Sequence, residues 1–212
     1  MSDSLVTASI VGLWIVVIFL ALATVLIYKQ MGDLLLQGRT GMERLQGPGI
    51  GDLAPAIDAH RLPGGERIEY LPTNEFVFFA QPGCPGCEAM ALQLPGFAGA
   101  NPDVHITFIT SYADRDMKLA GNDFSALARL ALPEGLAERL EDVPFRVLAG
   151  LNNAEDAPHT RYQVSVSPFT VYVGHDGRVR SKAITSTVEQ LRDFVEREDP
   201  DLVLADFVYE TE

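Results

Sequence analysis

Residues 76–87 read Phe76-Val77-Phe78-Phe79-Ala80-Gln81-Pro82-Gly83-Cys84-Pro85-Gly86-Cys87. The first five are wholly apolar, the pattern of a short strand covered on both faces. Gln81-Pro82-Gly83 turns the chain. Glu88 to Leu94 then suits a helix, which Pro95-Gly96 should end or kink. A buried strand that delivers a Cys-x-x-Cys pair to the mouth of a helix points to an α/β layered domain.

The pair itself carries chemistry. A first cysteine that attacks a disulfide must be exposed and ionised, and unpaired N–H groups at a helix start favour its thiolate. Pro85 suits an early helical position, where its missing N–H would have had no partner. A two-residue spacing lets Cys87 reach the sulfur of Cys84 and resolve a mixed disulfide. The bland readings are two small buried hydrophobes or a fixed structural disulfide. Against them stands the placement of the chain's only two cysteines at a strand-to-helix junction. Glu88 follows Cys87 where haem attachment needs His.

Upstream, Ala56 to His60 and Glu66 to Tyr70 flank Pro63-Gly64-Gly65 and suggest a hairpin. Val104 to Thr110 and Phe145 to Ala149 read as further strands. Between them Asp123 can cap a helix carrying Leu127, Leu130, Leu136 and Leu140, interrupted near Pro133. Phe169 to Val173 and Val179 to Thr185 bracket Gly174-His175-Asp176-Gly177 as a second hairpin. Ser186 with Glu189 predicts a capping box opening a helix with Val188, Leu191, Phe194 and Val195 on one face.

Composition narrows the function classes. The 212 residues are 47% apolar, with 16 Lys+Arg against 29 Asp+Glu and a formal net charge of -13. That charge repels phosphate backbones and disfavours nucleic acid. His60, His105, His159 and His175 are scattered, so with two cysteines no metal site is expected. Residues 189–212 hold nine acids and two arginines, and the segment 199–212 reads as an acidic tail whose Leu202, Val203, Leu204 and Phe207 can pack back.

Leu5 to Tyr28 is 24 residues without a charge. As a helix it would extend roughly 36 Å, more than the roughly 30 Å hydrocarbon core, which predicts one tilted membrane span. A cleaved signal peptide fits less well, since no Lys or Arg precedes the apolar stretch. The segment 29–51 holds six glycines and Pro48 and reads as a linker. Lys29, Arg39 and Arg44 follow the span, and the positive-inside rule alone would put the large domain in the cytoplasm.

Pro168 stands in Val164-Ser165-Val166-Ser167-Pro168-Phe169, just before the strand that opens the second hairpin. There the chain resembles the thioredoxin superfamily, in which a cis proline precedes that strand and packs against the Cys-x-x-Cys pair. The resemblance implies a thioredoxin-like fold, a central mixed sheet flanked by helices, over residues 52–198, and the apolar N-terminal stretch predicts a transmembrane anchor at 1–28 ahead of it. It implies catalytic roles for Cys84, Cys87 and Pro168 and a substrate-binding role for Pro85, Gly86 and Ser167, whose backbone would meet an incoming peptide. An ordinary trans proline at a strand start is the alternative.

Ile27-Tyr28-Lys29-Gln30-Met31-Gly32-Asp33-Leu34 and Gly47-Pro48-Gly49-Ile50-Gly51-Asp52-Leu53-Ala54-Pro55, taken with the Cys-Pro-Gly-Cys site, narrow the likeness. They resemble the membrane-anchored accessory proteins of methylamine utilisation, the MauD type, relatives of the TlpA-like periplasmic oxidoreductases. That implies a single-pass protein of the cytoplasmic membrane with its redox domain in the periplasm. It would exchange disulfides with a maturing, disulfide-rich enzyme subunit and take electrons through a membrane partner, with no cofactor beyond the Cys84–Cys87 pair.

Three departures bear on the implied role. Gly83 replaces the usual Trp before the first cysteine, Phe78 stands where cytoplasmic thioredoxins bury an Asp, and the helix proline lies a turn late at Pro95. Redox direction is left open. Two rival classes are a non-catalytic scaffold subunit with this fold and a peroxiredoxin-like peroxidase. The second normally has Thr or Ser three residues before its reactive cysteine, where this chain has Gln81.

Overall fold

A computed structural model describes residues 12–24, 46–152, 155–200 and 202–205. The chain forms two compact units, Met1–Arg44 and Leu45–Glu212. In the first, residues 12–24 form a helix, α1, with every large apolar side chain from Leu13 to Leu22 exposed. Among the described residues no helix is long and apolar enough to cross a membrane. The rest of the expected span, the linker from 29 to 45, and Phe207 with the tail beyond 205 lie outside the described residues.

The second unit is a seven-stranded mixed sheet in the order β2-β1-β5-β4-β3-β6-β7. β1 (Ile57–Arg61) and β2 (Glu66–Tyr70) form the first hairpin, with Ile57 opposite Tyr70. β3 (Glu75–Phe79), β4 (Ile106–Tyr112) and β5 (Arg146–Leu151) are mutually parallel neighbours, and β6 (Phe169–Val173) and β7 (Val179–Ala183) complete the other edge antiparallel.

β3 is buried at every position, and its alternation divides the core. Phe76 and Phe78 face α2 (Pro85–Ala100), α4 (Phe124–Ala131) and α7 (Val188–Glu198), while Val77 and Phe79 face Tyr162 and Phe169 on the other side. Phe78 stacks on Phe108 at 5.3 Å between centroids. Removing such a fully buried ring costs about 3–5 kcal/mol. Three short helices fill the connections: α3 (Asp114–Leu119), α5 (Glu134–Ala137) and α6 (Pro158–Arg161). A mixed sheet covered by helices in this way fits the thioredoxin-like fold.

The helix after the cysteines does not stop at Pro95. α2 runs on to Ala100 because its buried face, Cys87, Met90, Ala91, Leu94, Phe97 and Ala98, keeps helical spacing across the proline. That apolar contact outweighs one missing N–H bond. Asn101 ends the helix instead, its Nδ2 donating to the Phe97 carbonyl at 2.8 Å. The cap of α7 also falls one residue later than Ser186. Thr187 accepts from the Gln190 N–H at 3.3 Å, and the Gln190 side chain reaches back to the Ser186 N–H at 2.8 Å. Asp123 caps α4 as expected, through the Ser125 N–H at 2.9 Å.

Residues 46–51, read from sequence as the end of the linker, are bonded to the domain. Gly51 N–H donates to the Val179 carbonyl at 2.8 Å, and the Gln46 side chain is buried. In the tail, Leu202 and Leu204 pack on the core while Val203 is exposed, and Ala205 N–H donates to Asn101 Oδ1 at 2.7 Å.

Candidate active site

β3 ends at Phe79, and Ala80 N–H still donates to the Ile109 carbonyl at 2.8 Å, which fixes where the chain leaves the sheet. Four residues later Cys84 is the N-cap of α2, in extended conformation, and Pro85 occupies the first turn. Cys84 and Cys87 are disulfide-bonded, with Cα atoms 5.2 Å apart. Their surroundings differ. Cys84 is half-buried and Cys87 is fully buried in the apolar core with Phe78 and Met90. The Cys87 N–H is shared between the Cys84 carbonyl at 3.0 Å and Cys84 Sγ at 3.2 Å, so a donor of the helix start reaches the accessible sulfur.

The opposite wall comes from the segment before β6. The Ser167–Pro168 peptide bond is cis, and the Ser167 carbonyl oxygen lies 3.4 Å from Cys84 Sγ, a distance at which a thiol would donate to it. Pro168 is buried against Gly86. A Cβ at Gly86 would sit 3.2 Å from Pro168 Cδ and 3.7 Å from Ser186 Cβ, so only hydrogen fits there without displacement. The structure thus gathers Cys84, Pro85, Gly86, Cys87, Ser167 and Pro168 at one place, at the N-terminus of α2.

Residues that sequence reasoning did not single out support this wall. Gln46 Oε1 accepts from the N–H groups of Ser165 at 3.2 Å and Val166 at 2.9 Å. Lys182 Nζ donates to the carbonyls of Gln46, Gly47 and Pro48, and burial pushes its pKa down while Asp52 opposes the shift. Behind the site, His159 is buried edge-on to Phe79 at 5.4 Å, and its carbonyl takes the Val164 N–H at 2.8 Å. Burial pushes its imidazole down to about 4, with the Ala80 carbonyl opposing; that contact falls short of hydrogen-bond geometry, and neither ring nitrogen has another partner. Gln46 has one sequence signal, its place just before a Gly-Pro-Gly turn. A second cis bond, Leu62–Pro63, lies in the first hairpin.

Among the described residues no group of three or more His, Cys, Asp or Glu is placed to hold a metal. The accessible chemistry is that of a dithiol and its disulfide.

No family model matches the chain, and no curated protein sequence matches it. Among solved structures it is similar to an uncharacterized conserved protein from Geobacillus kaustophilus, 15% identical with a TM-score of 0.50, over 74% of this chain and 86% of that one. It is also similar to a thio-disulfide isomerase from Thermus thermophilus, 20% identical with a TM-score of 0.46, over 71% of this chain and 97% of that one. A secreted disulfide oxidoreductase of Mycobacterium tuberculosis is 22% identical with a TM-score of 0.45, over 66% and 95%.

Proposed function

We propose that this chain is a membrane-anchored thiol–disulfide oxidoreductase that exchanges a disulfide with an extracytoplasmic protein partner. The observation that carries the reading is the asymmetry of the pair. Cys84 is accessible at a helix N-terminus and accepts the Cys87 N–H, while Cys87 is enclosed directly beneath it. A thiolate accepts such a bond more strongly than a thiol, so the arrangement favours ionised Cys84.

In the reducing direction the Cys84 thiolate attacks one sulfur of the partner's disulfide. A mixed disulfide forms and one partner thiolate leaves. The Cys87 thiolate then attacks Cys84 Sγ, the second partner thiolate leaves, and the Cys84–Cys87 disulfide holds the two electrons' worth of oxidation. Run backward, the same steps oxidise a partner dithiol. Ser167, Pro85 and Gly86 line the approach, and Pro168 closes the wall against Gly86.

The uncharged Leu5–Tyr28 stretch and the exposed apolar side chains of α1 support an anchor in the cytoplasmic membrane. The MauD-type likeness supports a periplasmic domain, a maturing disulfide-rich subunit as substrate, and a membrane electron-transfer partner.

The test is reduction of a disulfide-linked peptide by dithiothreitol with and without the full-length protein. Acceleration that disappears in Cys84→Ser is expected. A full-length protein that gives no acceleration in either direction would contradict the reading and favour a scaffold subunit.

A further inference from the structure

The wall that faces Cys84 is not held by a neighbouring strand where it matters. Ser165 is exposed and Val166 and Ser167 are partly exposed, yet the N–H groups of Ser165 and Val166 turn inward to a single acceptor, Gln46 Oε1. Gln46 is 5% exposed and lies 119 and 120 residues away from them in sequence. One side-chain oxygen therefore does for this segment what a paired strand would do, and without it two inward-facing donors lose their partner.

Gln46 is itself held from both sides. Its carbonyl, with those of Gly47 and Pro48, accepts Lys182 Nζ from β7, and Gly47 N–H donates to the Gln163 carbonyl at 3.3 Å. Gly47 has φ +73°, and a Cβ there would lie 2.9 Å from Phe169 Cε1, so this residue type lets the strap lie flat on the start of β6. A continuous set of contacts runs from Gln46 through Ser165 and Val166 to Ser167 and Pro168, and from there to Cys84 and Gly86.

We infer that Gln46 is a positioning residue for substrate capture: its side chain sets the Ser165–Pro168 segment as the edge on which a peptide disulfide docks beside Cys84. This rests on the exchange reading above. Gln46 touches neither sulfur, so its loss should weaken docking and leave the intrinsic reactivity of the pair unchanged.

The experiment uses full-length wild type, Gln46→Ala and Gln46→Glu, with two reductions measured on each. One is reduction of the Cys84–Cys87 disulfide by dithiothreitol, which needs no docked peptide. The other is steady-state reduction of a disulfide-linked peptide. For Gln46→Ala the peptide KM should rise about tenfold, the scale of the two net hydrogen bonds lost at Ser165 and Val166, with kcat and the dithiothreitol rate within about twofold. Gln46→Glu keeps an acceptor at the same reach for the two N–H groups and should stay within about twofold of wild type throughout. Hydrogen exchange at Ser165 and Val166 should accelerate in the Ala variant only. An active wild type with an unchanged KM in Gln46→Ala overturns the positioning role. So does a parallel fall in both reductions, which would mean general loss of structure. A wild type that reduces no peptide overturns the exchange reading and this inference with it.

Discussion

The sulfur of Cys84 lies 3.4 Å from the carbonyl oxygen of Ser167, a residue 83 positions further along the chain. Two separate segments thus build the site. The strand-to-helix junction supplies the sulfurs, and the segment before β6 supplies a backbone wall that touches one of them. The contact between Gly86 and Pro168 sets how closely the two approach.

That contact yields a stability prediction. A Cβ at Gly86 already falls 3.2 Å from Pro168 Cδ, so a branched side chain must push the two segments apart. Gly86→Val should destabilise the domain by about 1–3 kcal/mol, the usual range for overpacking. The check is the chemical-denaturation midpoint of both proteins in the oxidised state. Equal midpoints would mean that the gap between α2 and Pro168 is looser than described.

His159 gives a pH dependence with a definite sign. In the folded protein burial holds its imidazole neutral down to about pH 4, whereas an unfolded histidine takes up its proton near pH 6.5. Between those values the unfolded chain binds more protons, so stability falls as the pH drops from 6.5 toward 4. The loss attributable to His159 should reach about 3 kcal/mol at the acid end. Unfolding free energies at several pH values, for wild type and for His159→Leu, isolate it. The variant should lose less stability over this range, and parallel curves would show that His159 is not the group responsible.

Local pattern made much of this architecture readable. The apolar run Phe76–Ala80, the Asp123 cap and the two hairpins each depend on residues within a few positions of one another, and each falls within a residue or two of where pattern places it. Pro95 misled because local chemistry argues for a stop, while the contacts of Leu94, Phe97 and Ala98 that carry the helix onward are tertiary. Ser186 and Thr187 are both good caps, and the choice fell to Gln190 over Glu189 as the residue that reaches back. Gln46 was illegible for a different reason. It sits in a glycine-rich stretch with a linker's composition, and its partners become neighbours only after the sheet is assembled. The pairing of Pro168 with the cysteines came from resemblance, since no local spacing connects them.

Topology is testable on the same sulfur. In spheroplasts of cells carrying the full chain, a membrane-impermeant maleimide applied after mild reduction should label Cys84 without further permeabilisation. Labelling seen only once the membrane is opened would place the domain inside, where Lys29, Arg39 and Arg44 would put it by the positive-inside rule.

The central claim is that Cys84 attacks and Cys87 resolves, and trapping in the native cell type tests it most directly. Cys87→Ser retains the accessible sulfur and removes the enclosed one that would release the partner. On non-reducing electrophoresis this variant should accumulate protein partners as mixed disulfides that reductant releases, while Cys84→Ser accumulates none. Trapping by Cys84→Ser and not by Cys87→Ser would reverse the assignment. Trapping by neither, in cells where the wild type cycles no disulfide, would contradict the exchange mechanism itself.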